Sequence, residues 1–247
     1  MGEMREGHKA QEARPRGAPV PGWRPPPRPG GQPLEGRHAS LEPLSAEHHA
    51  ALLYQAFDGH DEIWDYMPVG PFASAAQFHR WMRQATARDD MVFYAIRDRD
   101  RGQYGGLAAY LRIKPEAGSI EVGHIALAPV LQRSRAATEA MYLMMQWAFA
   151  AGYRRYEWKC DALNLASRRA AQRLGFSHEG VFRQASVVKG RNRDTAWFSV
   201  IDREWPALEE AFRFWLAAGN FDDAGRQRER LSDLTRLVRA SRDPALD

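Results

Sequence analysis

Gln132-Arg133-Ser134-Arg135-Ala136-Ala137 puts two guanidinium groups, a hydroxyl and two small residues at the head of an apolar-periodic stretch. A helix that starts this way carries no bulky apolar side chain over its first turn. Its unpartnered backbone N–H groups form an anion site, and phosphate is a natural occupant. A second candidate is Ile63-Trp64-Asp65-Tyr66-Met67-Pro68-Val69-Gly70-Pro71-Phe72. Aromatics on such a loop serve either as packing anchors or as the wall of a binding site. Cys160 is the chain's one cysteine, which rules out an internal disulfide and a Cys-rich metal site. It ends the strand-like Tyr156-Glu157-Trp158-Lys159-Cys160, so a buried, inert thiol is expected.

The elements that must position these groups follow from periodicity and turn residues. Ala39 to Leu44 reads as an edge strand, with Pro43 allowed at an edge or an end. Ser45 caps a helix from Glu47 to about Phe57, and Ser74-Ala75-Ala76-Gln77 matches a capping box for a second helix carrying Phe78, Trp81 and Met82. Met91–Ile96, Gly105–Ile113 and Ser119–Leu127 read as three antiparallel strands joined by turns. A long helix spans about Ala136 to Ala150, with Gly152 as its C-terminal cap. The next strand, Arg155–Cys160, makes a strand–helix–strand step of parallel-crossover length. Asn164 opens a helix that ends at Leu174-Gly175-Phe176. Gly180–Val188 and Thr195–Ile201 form a hairpin, and a helix from Trp205 or Pro206 to about Ala217 follows. Leu231, Leu234, Leu237 and Val238 suggest a weakly docked or frayed helix at the C-terminal end.

Residues 1–38 read as a disordered tail rich in Pro, Gly and Arg, because they lack the apolar side chains that offset ordering entropy. Residues 1–37 carry seven Lys/Arg against four Glu, so the tail holds +3 of the chain's net +4. The body is then nearly neutral, and a pI near 9.4 makes no case for a nucleic-acid partner. No apolar stretch has the roughly 20 residues that cross a bilayer, and no signal-peptide core is present, so no membrane partner and a cytoplasmic location are expected. The sequence assigns no oligomeric state.

The element order and three motifs together resemble the GNAT superfamily of acyl-CoA-dependent N-acyltransferases. The similarity covers residues 39–203, with 204–247 as a C-terminal helical extension. Gln132 to Ala137 stands where that family has its pyrophosphate loop. Asn164-x-x-Ser167 with Leu174-Gly175-Phe176 resembles the following helix and its end. Trp64-x-Tyr66-Met67-Pro68-x-Gly70-Pro71 is similar to the acceptor-side loop of the branch named for ribosomal-protein alpha-amino (N-terminal) acetyltransferases. Two positions depart from the pattern. Arg135 replaces the first glycine of the loop, and Ala171 stands where many members carry a thiolate-protonating tyrosine.

The resemblance implies an α/β (α+β) fold. Its central sheet would be mixed and mostly antiparallel, with about seven strands, flanking helices and two splayed parallel strands at the centre. It implies acetyl-CoA as co-substrate without a metal, and a protein N-terminus or a small amine or amino acid as acceptor. Acetyl transfer would proceed by direct attack in a ternary complex. Glu121 would accept the amine proton, and Ser167 would protonate the leaving thiolate. His124 is the rival base, but three residues along an ideal strand it faces away from Glu121 unless a bulge breaks the alternation. Ile125 and Leu127 would pair with the pantetheine arm, and Gln132, Arg133, Ser134, Arg135, Ala136, Ala137, Thr138 and Asn164 would hold the rest of the cofactor. Trp64, Tyr66, Glu62 and Asp65 would face the acceptor. The alternative is a non-catalytic acyl-CoA-binding module of the same fold, which Arg135 and Ala171 keep open.

Overall fold

Residues 14–246 are described by a computed structural model. The strands are β1 (Leu34–Glu35), β2 (Ala39–Pro43), β3 (Val92–Asp98), β4 (Gln103–Lys114), β5 (Ser119–Leu127), β6 (Arg155–Asp161), β7 (Ser177–Val188) and β8 (Arg191–Ile201). They form one eight-stranded sheet in the order β1-β2-β3-β4-β5-β6-β8-β7. All neighbours are antiparallel except β5 and β6, which the α3 crossover makes parallel. The helices are α1 (Ala46–Phe57), α2 (Ala75–Thr86), α3 (Arg135–Ala150), α4 (Leu165–Arg173), α5 (Trp205–Leu216) and α6 (Leu231–Thr235).

Side-chain alternation divides the core between the two sheet faces. Tyr94, Tyr110, Val122, Tyr156 and Phe198 meet the Met-rich α3 and, beyond it, Leu208 and Phe212 of α5. On the other face Phe93, Ala95, Leu107 and Ala109 lie under Leu53 and Phe57 of α1 and Phe78 and Met82 of α2. The helices start where the sequence places their caps. Ser45, Ser74, Ser134 and Asn164 each accept an N–H from three residues on. Gly175 closes α4 at φ +92, with Leu208 2.4 Å from where a Cβ would stand. Only glycine fits both the turn and that approach.

The two termini are held more firmly than the sequence suggests. Residues 1–13 lie outside the described residues, so the disordered-tail expectation bears there only on residues that are not described. From Trp23 onward the chain straps the body instead. Arg28 donates to the Asp89 carbonyl at 3.0 Å, and the Tyr153 hydroxyl donates to the Pro27 carbonyl at 3.1 Å. The buried Glu139 carboxylate of α3 accepts the N–H groups of Arg37, His38 and Ala39 at 3.0, 2.5 and 2.7 Å. This strap supplies β1, the eighth strand. The proline-rich composition conceals it because its partners are more than 50 residues away in sequence.

At the other end, the expected frayed helix is pinned. Asp243 is fully buried and takes both sides of the Arg168 guanidinium, at 2.5 and 2.7 Å. Thr235 donates to the Arg173 carbonyl at 3.0 Å, and the Ala240 N–H to Ser177 Oγ at 2.8 Å. The C-terminal segment therefore clamps α4 and the start of β7.

Candidate active site

The cleft begins where the parallel pair stops pairing. The β5–β6 register runs from Ser119↔Arg155 to Val122↔Trp158 and ends there, although both strands continue. Gly123 to Leu127 thus offer a strand edge with no β6 partner. At that point β5 also holds a bulge. Ala109 pairs with Gly123 and Leu107 with Ala126, so one β4 residue opposes both His124 and Ile125. His124 absorbs the extra residue in the left-handed region, at φ 49.

The bulge overturns the parity expectation for His124. Val122 packs on the α3 side, whereas Ala126, four residues on, packs on the α1/α2 side. Only an inserted residue reverses the alternation in this way. The His124 ring accordingly lies on the α1/α2 side, 5.2 Å from the Phe93 ring, the side that Glu121 also faces. Its buried Nδ1 has no hydrogen-bond partner. Burial lowers its pKa to about 4, aided by the positive charges of Arg88, Arg112 and Arg193. The imidazole is neutral at pH 7.

Glu121 is 2% exposed and is held by two cations. Arg112 Nη1 lies 2.7 Å from both its oxygens, and Lys159 Nζ lies 2.8 Å from Oε2. Arg112 reaches it from a second irregularity, at φ 46 between Leu111 and Lys114. Glu157 stands directly opposite Glu121 in the register, an arrangement that alone would be repulsive. Lys159 Nζ bridges the two carboxylates, at 2.7 Å from Glu157, and sits 3.7 Å above the Trp197 ring. Arg155 extends the row, bonding Glu157 at 2.7 Å and Glu179 at 2.5 Å. Burial works against the Glu157 carboxylate, but the hydrogen bonds from Arg155 and Lys159 outweigh it and hold its pKa below the ordinary value.

Across the splay, α4 presents Ser167 to β6. Its N–H is capped by Asn164 Oδ1 at 3.0 Å, so its hydroxyl is not spent on capping. Ser167 Oγ accepts from Trp158 Nε1 at 3.0 Å and lies against Cys160. Cys160 is buried, and burial pushes its thiol up to about 11, so the inert-thiol expectation fits its surroundings. Ala171 is fully buried and offers no hydroxyl here.

At the head of α3, Ser134 caps Ala137 and donates to the Leu131 carbonyl at 2.7 Å. Arg135 and Ala136, the first two helical residues, keep their N–H groups without a carbonyl partner. Arg135 is helical, so the position needs no glycine conformation. The left-handed residue is Arg133, at φ 59. The Arg135 guanidinium lies 4.8 Å from the Phe221 ring centroid. Gln132 Nε2 donates to the Leu127 carbonyl at 2.9 Å and braces the end of β5.

The family model described as "Acetyltransferase (GNAT) domain" matches residues 39–177. The chain belongs to the GNAT acetyltransferase family. A GCN5-related N-acetyltransferase from Brucella melitensis is 46% identical, with a TM-score of 0.86 over 88% of this chain and all of that one. A probable GNAT-family acetyltransferase from Chromobacterium violaceum is 42% identical, with a TM-score of 0.75 over 79% of this chain and 98% of that one. The fold alone is shared with the microcin C7 self-immunity acetyltransferase MccE, solved with acetyl-CoA and AMP. It is 19% identical, with a TM-score of 0.60 over 67% of this chain and 93% of that one. A search of curated proteins gave no match.

Glu121, Ile125 and Leu127 lie on β5, Gln132 to Thr138 on the turn and first turn of α3, and Asn164 and Ser167 at the start of α4. The acceptor-loop residues divide. Trp64 is 2% exposed and sits among Phe57, Phe72, Phe78 and Trp81, so its ring packs rather than binds. Gly70, at φ +66, lies so close that a Cβ would stand 2.7 Å from Trp64 Cγ. Tyr66, Glu62 and Asp65 are exposed. Lys189, at the hairpin tip, donates to the Trp64 carbonyl at 2.7 Å and bridges the hairpin to this loop. Sequence reasoning missed Arg112, Lys159, Glu157 and Arg193. The alternation of Glu157 and Lys159 was visible, but their partners depend on two bulges and a cross-strand register. Among the described residues no cluster of three or more His, Cys, Asp or Glu could hold a metal, and no helix is long and apolar enough to cross a membrane.

Proposed function

We propose that this cleft transfers an acetyl group from acetyl-CoA to a primary amine by direct attack in a ternary complex. The observation that carries the reading is the unpaired β5 edge beyond Val122, flanked by the open N-terminus of α3 and by Ser167. Ile125 and Leu127 lie where an extended amide chain adds to the sheet as a further strand. Free N–H groups at Arg135 and Ala136, with the exposed Arg133 side chain close in sequence, suit the pyrophosphate, whereas the buried Thr138 hydroxyl is already bonded to the Ser134 carbonyl and Arg173. The Asn164 side-chain amide suits the pantetheine arm. Bound acetyl-CoA supplies the acyl group and a thiol leaving group.

The chain's own groups then handle protons. Ser167 Oγ already accepts from Trp158, and its hydrogen, which faces the weak acceptor Cys160, can turn to donate toward the departing sulfur. The neutral, half-buried His124 ring is the candidate base on the amine side. An amine nitrogen becomes far more acidic as it bonds to the carbonyl carbon, so a weak base suffices. Glu121, reached through a water, is the second reading, favoured by its place at the base of the splay. The test is thermal stabilisation by CoA, followed by free-thiol release with a broad amine panel. CoA stabilisation with acetyl-CoA-dependent thiol release is expected. Stabilisation with no release for any amine selects the non-catalytic binding module.

A further inference from the structure

Arg193 sits on β8 beyond the last β6–β8 pair, Asp161↔Thr195. By strand alternation it shares a face with Thr195 and Trp197. Lys159 Nζ lies over the Trp197 ring, which fixes that face as the one holding Lys159 and Glu121. Four residues along the strand carry it about 13 Å past Trp197, toward the open end of the splay. Its buried Nε has no hydrogen-bond partner.

Three cations on or near this face of β4, β5 and β6 are matched by carboxylates. Arg88 pairs with Asp90 at 2.6 Å, Arg112 with Glu121, and Lys159 with Glu121 and Glu157. Among the described residues Arg193 pairs with no carboxylate. Its chain neighbour Asp194 is occupied by the Gln184 N–H and the Asn192 amide, and Asp161 by the Leu163 N–H. The charge of Arg193 also contributes to keeping the His124 ring neutral. A buried donor left without a partner is costly unless a ligand completes it, and His124 Nδ1 on the same sheet face is unpartnered too.

Resting on the acetyl-transfer reading, we propose that Arg193 recognises a carboxylate carried by the acceptor, so that the substrates are amino acids or closely related amino-carboxylates. The guanidinium fork matches a carboxylate with two parallel hydrogen bonds, which an amide or a bare amine does not reproduce. The acceptor would then lie with its anion at Arg193 and its nitrogen toward His124.

The test pairs amino acids with their α-carboxamides on the full chain, at saturating acetyl-CoA. Wild type should favour the acids by roughly tenfold or more in kcat/KM, the size expected for a charge-assisted hydrogen bond. In Arg193→Ala that ratio should fall toward one, with Arg193→Lys intermediate and CoA affinity unchanged. Equal use of acid and amide by wild type overturns the proposal. So does a preference that survives in Arg193→Ala, or a variant that loses CoA affinity instead, which would make Arg193 a cofactor contact. A second arm needs no turnover: calorimetry of N-acetyl amino acids and their amides with the CoA-bound protein. Selective binding of the acids, lost in Arg193→Ala, supports the anion site even if no thiol is released, and the missing release then counts against acetyl transfer alone. Failure of every acid to bind overturns the anion site.

Discussion

The two sides of the cleft are built by different means. The donor side is local: a strand edge, a capped helix start at Ser134 and a capped helix at Asn164, each set by residues within a few positions of one another. The acceptor side is assembled across the chain. Arg112, Glu121, Lys159 and Glu157 meet through register and bulge, and Lys189 reaches Trp64 across 125 residues. A local device survives change elsewhere, whereas a long-range one depends on every strand that carries it. The C-terminal clamp complicates that contrast, because α4 on the donor side rests on Asp243.

Asp243→Ala tests that dependence and should have the largest effect. It leaves the Arg168 guanidinium buried without its carboxylate, a loss of about 3–5 kcal/mol for a broken buried pair. Denaturant unfolding should show a lower midpoint, and turnover should fall with it because Ser167 precedes Arg168 on α4. A midpoint within about 1 kcal/mol of wild type would make the donor side independent of the C-terminal segment after all.

Ser167→Ala acts on the donor side at the cost of a single framework contact, the Trp158 indole N–H. Loss of a positioned general acid should lower kcat by about 10²-fold while CoA affinity holds. Unchanged turnover would remove the serine from proton transfer and leave its bond to Trp158 as its role.

The same contrast explains what the sequence made legible. Ser119–Leu127 was read to the residue, and α3 to within one position, because alternation and caps are local signals. The β1 strap was hidden because the acid that holds it, Glu139, lies on α3 about 100 residues away. Trp64 was read equally well as anchor or wall, since only the packed rings of Phe57, Phe72 and Phe78 separate the two. Strict alternation places His124 on the wrong face, and the bulge that reverses it is hinted at only by Gly123 within the strand, while the left-handed turn falls on His124 itself. Arg193 carried no signal at all: its meaning lies in lacking a carboxylate where its neighbours have one.

His124 also supplies the pH test of the acceptor side. The unfolded imidazole takes its proton at an ordinary pKa near 6.5, whereas the folded one resists until about 4. Between those values the unfolded state binds more protons, so stability is fully present above pH 6.5 and declines as pH falls toward 4. At pH 4.5 the loss should be about 2 kcal/mol relative to pH 7, and His124→Gln should remove that share of the slope. An identical slope in the variant would mean that the ring is not held away from water. Turnover near neutral pH then separates the two bases. If His124→Gln loses turnover while Glu121→Gln keeps it, the His124 ring takes the proton. The reverse assigns the task to Glu121 through a water, and the bulge would then serve only to turn Ile125 and Leu127 toward the α3 side.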